Sequence, residues 1–260
     1  MEALGVCSTH NASKVITKAF AKGAKWRCIP VKDYREGPVA IYGLARGLAE
    51  VLRIARQDHD CIRLDHGYMA SGHFTGHYSV TKNVIQHTGE GEYDAKRLDP
   101  IRPSMSPMRH GEHILLLPPS RLLASFIGLD VNEWISGCKK LQTDRPIRIR
   151  EKYVGKAAGK KYGVQVSTAP EVPLEEDLKN CHAVVTFNSK AAIKASCEGI
   201  SVFTTHPCCV TAISQPWLSI DNPELNIDRE GWLRALSYNQ FTLDEMRERP
   251  HMPALREIWA

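Results

Sequence analysis

The sequence has no apolar run approaching the roughly 20 residues that a membrane-spanning helix needs. Its longest candidate, residues 114–119, is the size of a strand. The opening residues, Met1-Glu2-Ala3-Leu4-Gly5-Val6, lack a basic segment leading into a long apolar one, so no secretory signal is expected and the chain reads as cytosolic. Among eight cysteines there is no CxxC pair. The vicinal Cys208-Cys209 beside His206 does not supply the two spaced ligand pairs of a zinc site, so the cysteines read as reduced, buried thiols and no metal is expected. There is no GxxxxGK[ST] loop, no GxGxxG opening the first helix and no GxSxG elbow. P-loop phosphoryl transfer, a standard dinucleotide site and α/β-hydrolase chemistry are therefore unsupported. No repeat of 20–50 residues is evident.

What is present is an ordinary globular balance over 260 residues, 43% hydrophobic and 24% charged, which excludes disordered, collagen-like and coiled-coil chains. The length allows one large domain or two small ones. The formal net charge of +5 is concentrated. Arg145, Arg148, Arg150, Lys152, Lys156, Lys160 and Lys161 stand against Glu151 alone in one window, and the rest of the chain is close to neutral. Such a segment is either a solvated basic loop or the contact for a phosphate-rich partner.

Strand and helix patterns alternate along the chain. Strands are expected at residues 3–7, 27–31, 38–42 and 61–64, with helices at 12–22 and from Gly43 to about Gln57. Residues 69–111, rich in Gly, His and Pro, read as irregular. The alternation resumes with strands at 113–117, 147–150, 183–187 and 200–204 and helices at 120–127, 131–141, 174–180 and 190–197. Two terminal helices follow, at 229–238 and 243–249. This implies parallel sheets covered by helices. Three parts are expected: residues 1–108, residues 109–225 and a helical tail at 226–260.

Three places carry chemistry. Thr186, Asn188 and Ser189 end a strand where a helix of small residues begins, so Ser189 either caps that helix or opens a phosphate cradle. Arg148, Arg150 and Lys152 share one strand face, and three cations there call for an anion between them. Asp65-His66-Gly67-Tyr68 closes another strand; Asp65 there is either a turn residue or a general base, with His66 as its partner.

The stretch from His182 to Phe203, HAVVTFNSKAAIKASCEGISVF, resembles the donor-side motif of GT-B-type glycosyltransferases related to the capsular-polysaccharide transferases. Ser201 stands where that pattern has proline. Leu64 to Tyr68, Tyr78 to Asn83, Pro118-Pro119-Ser120, Ile147 to Lys152 and Asp228 to Leu233 agree in order over about two thirds of the chain. The chain also resembles the bacteriophage glycosyltransferases that modify hydroxymethyl pyrimidines in DNA.

The resemblance implies a GT-B-like α/β fold of two Rossmann-like domains facing a cleft, with C-terminal helices. It implies transfer from a nucleotide-sugar, a UDP-sugar being the expected donor, with no metal required. Arg148, Arg150, Lys152, Thr186, Asn188 and Ser189 would hold the donor, and Asp65 with His66 would activate the acceptor. Tyr68, His73, Tyr78, Arg102 and Arg109 would contact that acceptor. Basic residues between Lys96 and Arg109 favour DNA, in a host cytoplasm if the chain is of phage origin, over a capsule-type glycan. A sugar-nucleotide epimerase and a non-enzymatic nucleic-acid-binding protein remain as alternatives; no membrane partner is expected.

Overall fold

The computed structural model describes residues 2–141, 143–151, 165–168 and 171–248. Lys152, Lys156, Lys160 and Lys161 lie outside the described residues. The chain divides into two compact units: residues 1–87, 93–102 and 234–260 form unit 1, and residues 88–92 and 103–233 form unit 2. Of the segment expected as a helical tail at 226–260, residues 226–233 group with unit 2 and the described residues 234–248 with unit 1.

In unit 1, β1 (Leu4–Cys7), β2 (Arg27–Pro30), β3 (Val39–Tyr42) and β4 (Cys61–His66) are parallel neighbours in the order β4-β3-β1-β2. β5 (Tyr78–Lys82) runs antiparallel beside β4, and the short C-terminal β11 (Gln240–Phe241) runs antiparallel beside β5. β5 falls inside the stretch expected to be irregular. Its five residues alternate suitably for a strand, but the glycines and histidines before it mask the pattern.

Helix α1 (Asn11–Ala24) presents Ile16, Ala19 and Phe20 to a core that includes Ile62, Leu64, Val80 and Phe241. The second helix, α2 (Leu48–Ala55), starts later than Gly43, because Gly43, Arg46 and Gly47 all adopt left-handed backbone angles and form a turn instead. Near its end α1 meets α8 (Leu243–Arg247) so closely that a Cβ on Gly23 would lie 1.9 Å from the Met246 carbonyl oxygen. Thr242 and Glu245 start α8 with a reciprocal capping box.

Unit 2 holds a parallel sheet in the order β10-β9-β6-β7-β8. Its strands are β6 (His113–Leu117), β7 (Ile147–Glu151), β8 (Gln165–Thr168), β9 (Cys181–Thr186) and β10 (Ser201–Thr204). Alternate residues Ile114, Leu116, Ile149, Ala183, Val185 and Phe203 bury one face against Trp134, Ile135 and Cys138 of α4 (Val131–Cys138). Two of its helices begin on side-chain caps: Ser120 accepts from the Leu123 N–H for α3 (Arg121–Ile127), and Asp130 accepts from two N–H groups of α4. α5 (Leu174–Leu178) precedes β9, α6 (Ala191–Cys197) joins β9 to β10, and α7 (Arg229–Tyr238) carries residues of both units. Seven of the eight cysteines are buried and Cys28 is half-buried, all as free thiols. No helix of the described residues is long and apolar enough to cross a membrane.

Candidate active site

In open α/β sheets the carboxyl ends of the strands are where ligands bind. In unit 1 that edge carries Asp65 and His66, the last two residues of β4. Consecutive strand positions send their side chains to opposite faces, and the two acquire different partners. Asp65 Oδ2 accepts from Arg63 Nη2 at 2.7 Å, and its Oδ1 accepts from the His66 N–H at 2.9 Å. Arg63 itself is buried and also donates to the Ile85 carbonyl. The Asp65 side chain keeps 25% exposure, so a ligand can reach it.

His66 is exposed on the other face. Its Nε2 lies 3.1 Å from the Tyr42 hydroxyl, and its ring stacks on Tyr78. Burial, reinforced by the charge of Asp65, pushes the Tyr42 hydroxyl well above its usual pKa. It therefore stays protonated and can donate to His66. Neither Arg63 nor Tyr42 is evident from sequence. Arg63 was legible only as the same-face neighbour of Asp65, two residues back on the strand.

The residues expected around an acceptor separate into framework and surface. Tyr78 is fully buried; its hydroxyl accepts from the Phe74 N–H at 2.9 Å and donates to the Gly72 carbonyl at 3.2 Å. Tyr68 is buried too, its hydroxyl accepting from the His87 N–H. Both hold the loop after β4 in place, a role their burial dictates. His73 is exposed and packs against Phe74. Arg102 is exposed and pairs with Asp99 at 2.6 Å. Arg109 gives its guanidinium to the carbonyls of Leu178 and Cys181 and so ties its own loop to β9.

In unit 2 the carboxyl edge gathers the ends of β6, β9 and β10. Thr186 is buried, donates to the Leu117 carbonyl and accepts from the Ser189 N–H at 2.8 Å. It shapes the turn. Ser189 accepts from the Ala191 N–H, and α6 begins only at Ala191, so Ser189 serves the turn before the helix. Asn188 and Ser189 are both half-exposed on this edge. Phe187 stacks flat on His206, with ring centroids 4.5 Å apart. Beside them Trp134 Nε1 donates to Thr205 Oγ1 at 2.8 Å, and Trp134, Trp217 and Leu141 line a recess of about 360 Å³. The sequence reading missed this aromatic grouping because its members lie on separate elements.

The basic strand differs most from expectation. β6 lies between β7 and β9, so Arg148 stands opposite Leu115, and the strand ending at Thr186 is one further across. The anion that Arg150 calls for is internal. Arg150 donates to Asp177 Oδ2 at 2.5 Å and to the Val172 carbonyl at 2.8 Å, and Ser167 donates to the same Asp177 oxygen. Both charged side chains are nearly buried, so Arg150 is a framework residue. Among the described residues Arg148 forms no ion pair. No group of three or more His, Cys, Asp or Glu side chains among the described residues is placed to hold a metal ion.

Two buried histidines give unit 2 a pH dependence. His182 donates from Nε2 to the Ile220 carbonyl and accepts at Nδ1 from the Gly111 N–H, and His113 Nε2 donates to the Asp177 carbonyl. Burial first, then neighbouring cations, holds both imidazoles below the ordinary value of 6.5. The unfolded chain therefore binds more protons than the folded one as pH falls through 6.5, and stability declines from there toward the folded-state values. Thermal melts between neutral pH and about pH 5 should show falling midpoints, less steeply in His182→Gln. A flat profile would show that these histidines titrate alike in both states.

No protein-family model matches the chain, and no curated protein does. Solved structures do. The beta Kdo 2,7 transferase of KpsC from Thermosulfurimonas dismutans aligns with a TM-score of 0.54 at 11% identity, covering 92% of this chain and 92% of that one. The beta Kdo 2,4 transferase of KpsC from the same organism aligns with a TM-score of 0.49 at 11% identity, over 92% and 91%. The first likeness establishes the fold: the chain is built as a GT-B-type protein, with a Rossmann-like sheet in each unit.

Proposed function

We propose that the protein is a glycosyltransferase that moves a sugar from a nucleotide-sugar, a UDP-sugar being the first to test, to a hydroxyl group of a glycan. The observation that carries this reading is the fold, shared over nine tenths of both chains with a protein named as a Kdo transferase. Asp65 takes the proton of the acceptor hydroxyl as its oxygen bonds to the anomeric carbon. The bond to the leaving phosphate oxygen breaks, and that oxygen keeps the electron pair. In unit 2, Asn188, Ser189 and the Phe187–His206 stack offer polar and flat contacts to the donor.

A hydroxymethyl pyrimidine in DNA is the other acceptor. Tracking phosphates requires cations to exchange their counterions, and two of the four basic residues of this region are tied into the fold while the other two form exposed pairs. Lys96 pairs with Asp94, Arg97 with Glu245 and Arg102 with Asp99, while Arg109 serves two carbonyls. That favours the glycan.

The test incubates the protein with a panel of nucleotide-sugars, alone, with acidic and neutral oligosaccharides, or with hydroxymethylated duplex DNA. Turnover of a donor only with an oligosaccharide is the expected result. Turnover only with DNA would reassign the acceptor, and conversion of donor with no acceptor would make the protein an epimerase. Salt-sensitive DNA binding with no turnover would remove the enzyme reading altogether.

A further inference from the structure

The amino edge of the unit 1 sheet, at the opposite end of β4 from Asp65, carries a depression of about 840 Å³. Its lining starts at the entries to the parallel strands, with Ala3 before β1, Pro38 before β3 and Asp60 before β4. Asp60 and Asp65 are five residue steps apart along the strand, roughly 16 Å, so this is a place apart from the candidate active site. Its volume is within the usual range for a small-molecule site.

The chemistry of the lining is specific. Trp26, half-buried and braced edge-on by Phe20, contributes an indole. Around it the cations Arg56 and Lys82 are matched by the carboxylates Asp58 and Asp60. Lys82 and Asn83 both bond to Asp60, at 2.9 and 2.7 Å, and the Asn83 side-chain oxygen accepts from the Cys61 N–H at 2.8 Å. That side of the depression is thereby held in shape, while Gln57 and Asp58 project as exposed polar groups. With opposite charges in balance, a polyanion gains no net attraction here. A ligand with an apolar face and a rim of hydroxyls, each able to donate and accept, matches an indole ringed by amides, carboxylates and an imidazole.

We propose that this depression is a second, non-catalytic binding site for a neutral saccharide. Binding there requires no sugar transfer, so the proposal stands or falls separately from the activity proposed above. It gives the protein two points of attachment on glycan: one where a hydroxyl is activated and one where the chain is held.

The experiment titrates the whole protein with maltoheptaose, chitohexaose and cellohexaose, and with a heparin hexasaccharide as the anionic comparison. Saturation-transfer NMR and tryptophan fluorescence report binding. Saturable binding of at least one neutral oligosaccharide is expected, weakened about tenfold or more in a Gln57→Ala/His59→Ala variant. Gln57 is exposed and His59 half-buried, and a matching thermal melt verifies the fold of the double variant. Trp26→Leu, which keeps an apolar side chain against Phe20, provides the second variant and should abolish the fluorescence response together with the NMR signal. Absence of binding to all three neutral sugars at millimolar concentration, binding indifferent to both variants, or binding of the heparin hexasaccharide alone would each overturn the proposal.

Discussion

Asparagine in place of Asp65 is expected to slow sugar transfer by about 10²–10⁴-fold, the usual cost of losing a general base, with donor affinity unchanged. The substitution keeps the size of the side chain and its capacity to accept from the His66 N–H. It removes the only feature the reaction needs, a group that can take a proton. There is a second effect on stability. Arg63, whose side chain is 10% exposed, loses the charge that faces it at 2.7 Å, and its Nε is already without a partner. A loss of about 1–3 kcal/mol of stability should accompany the loss of rate. Rates must therefore be measured at a temperature where the variant is fully folded. A folded Asp65→Asn protein that transfers sugar at the parental rate would eliminate Asp65 as the base. His66, exposed and hydrogen-bonded to Tyr42, would then be the group to replace.

The second large effect concerns stability alone. Arg150→Ala should destabilise unit 2 by about 3–5 kcal/mol, because it leaves a buried carboxylate without its cation. The side chains of Arg150 and Asp177 are 11% and 8% exposed, so water cannot take over the lost role. Replacing both, as Arg150→Met with Asp177→Leu, should recover a large part of the loss, since no uncompensated charge then remains. Denaturant titration of the three variants measures this. A loss below about 1 kcal/mol in the single variant, the range of exposed pairs, would mean that the pair is solvated in solution and that Arg150 is free to bind phosphate.

Most helices and parallel strands were legible because each carries its own periodicity. Ile16, Ala19 and Phe20 mark one face of α1, and the β-branched run in β9 marks a buried strand. Lateral order was not legible. Nothing in residues 147–151 indicates that β6 intervenes between β7 and β9, whereas a donor held jointly by Arg148, Arg150 and the turn after β9 requires those two strands to be close. The partner of Arg150 was equally hidden. Asp177 sits on α5, where it looks like one of three acids in a first helical turn. Of the candidate site, the place of Asp65 at a strand end was legible. Tyr68 and Tyr78 enter through the resemblance alone, and a resemblance does not report that a hydroxyl is already used by a backbone N–H.

The placement of β11 has a consequence for the order in which the molecule can assemble during synthesis. Gln240 accepts at Oε1 from the N–H groups of Tyr68 and Met69, and Phe241, Leu243 and Met246 fill the core beneath α1. Residues 1–87 therefore lack an edge strand and part of their interior until residues 240–246 emerge. Unit 2, complete by residue 233, is synthesised in full before unit 1 can close. The N-terminal segment must wait with its sheet unfinished, and a chain cut short before residue 240 would strand it there. Such a truncated chain should yield a protease-resistant unit 2 attached to a protease-sensitive N-terminal segment.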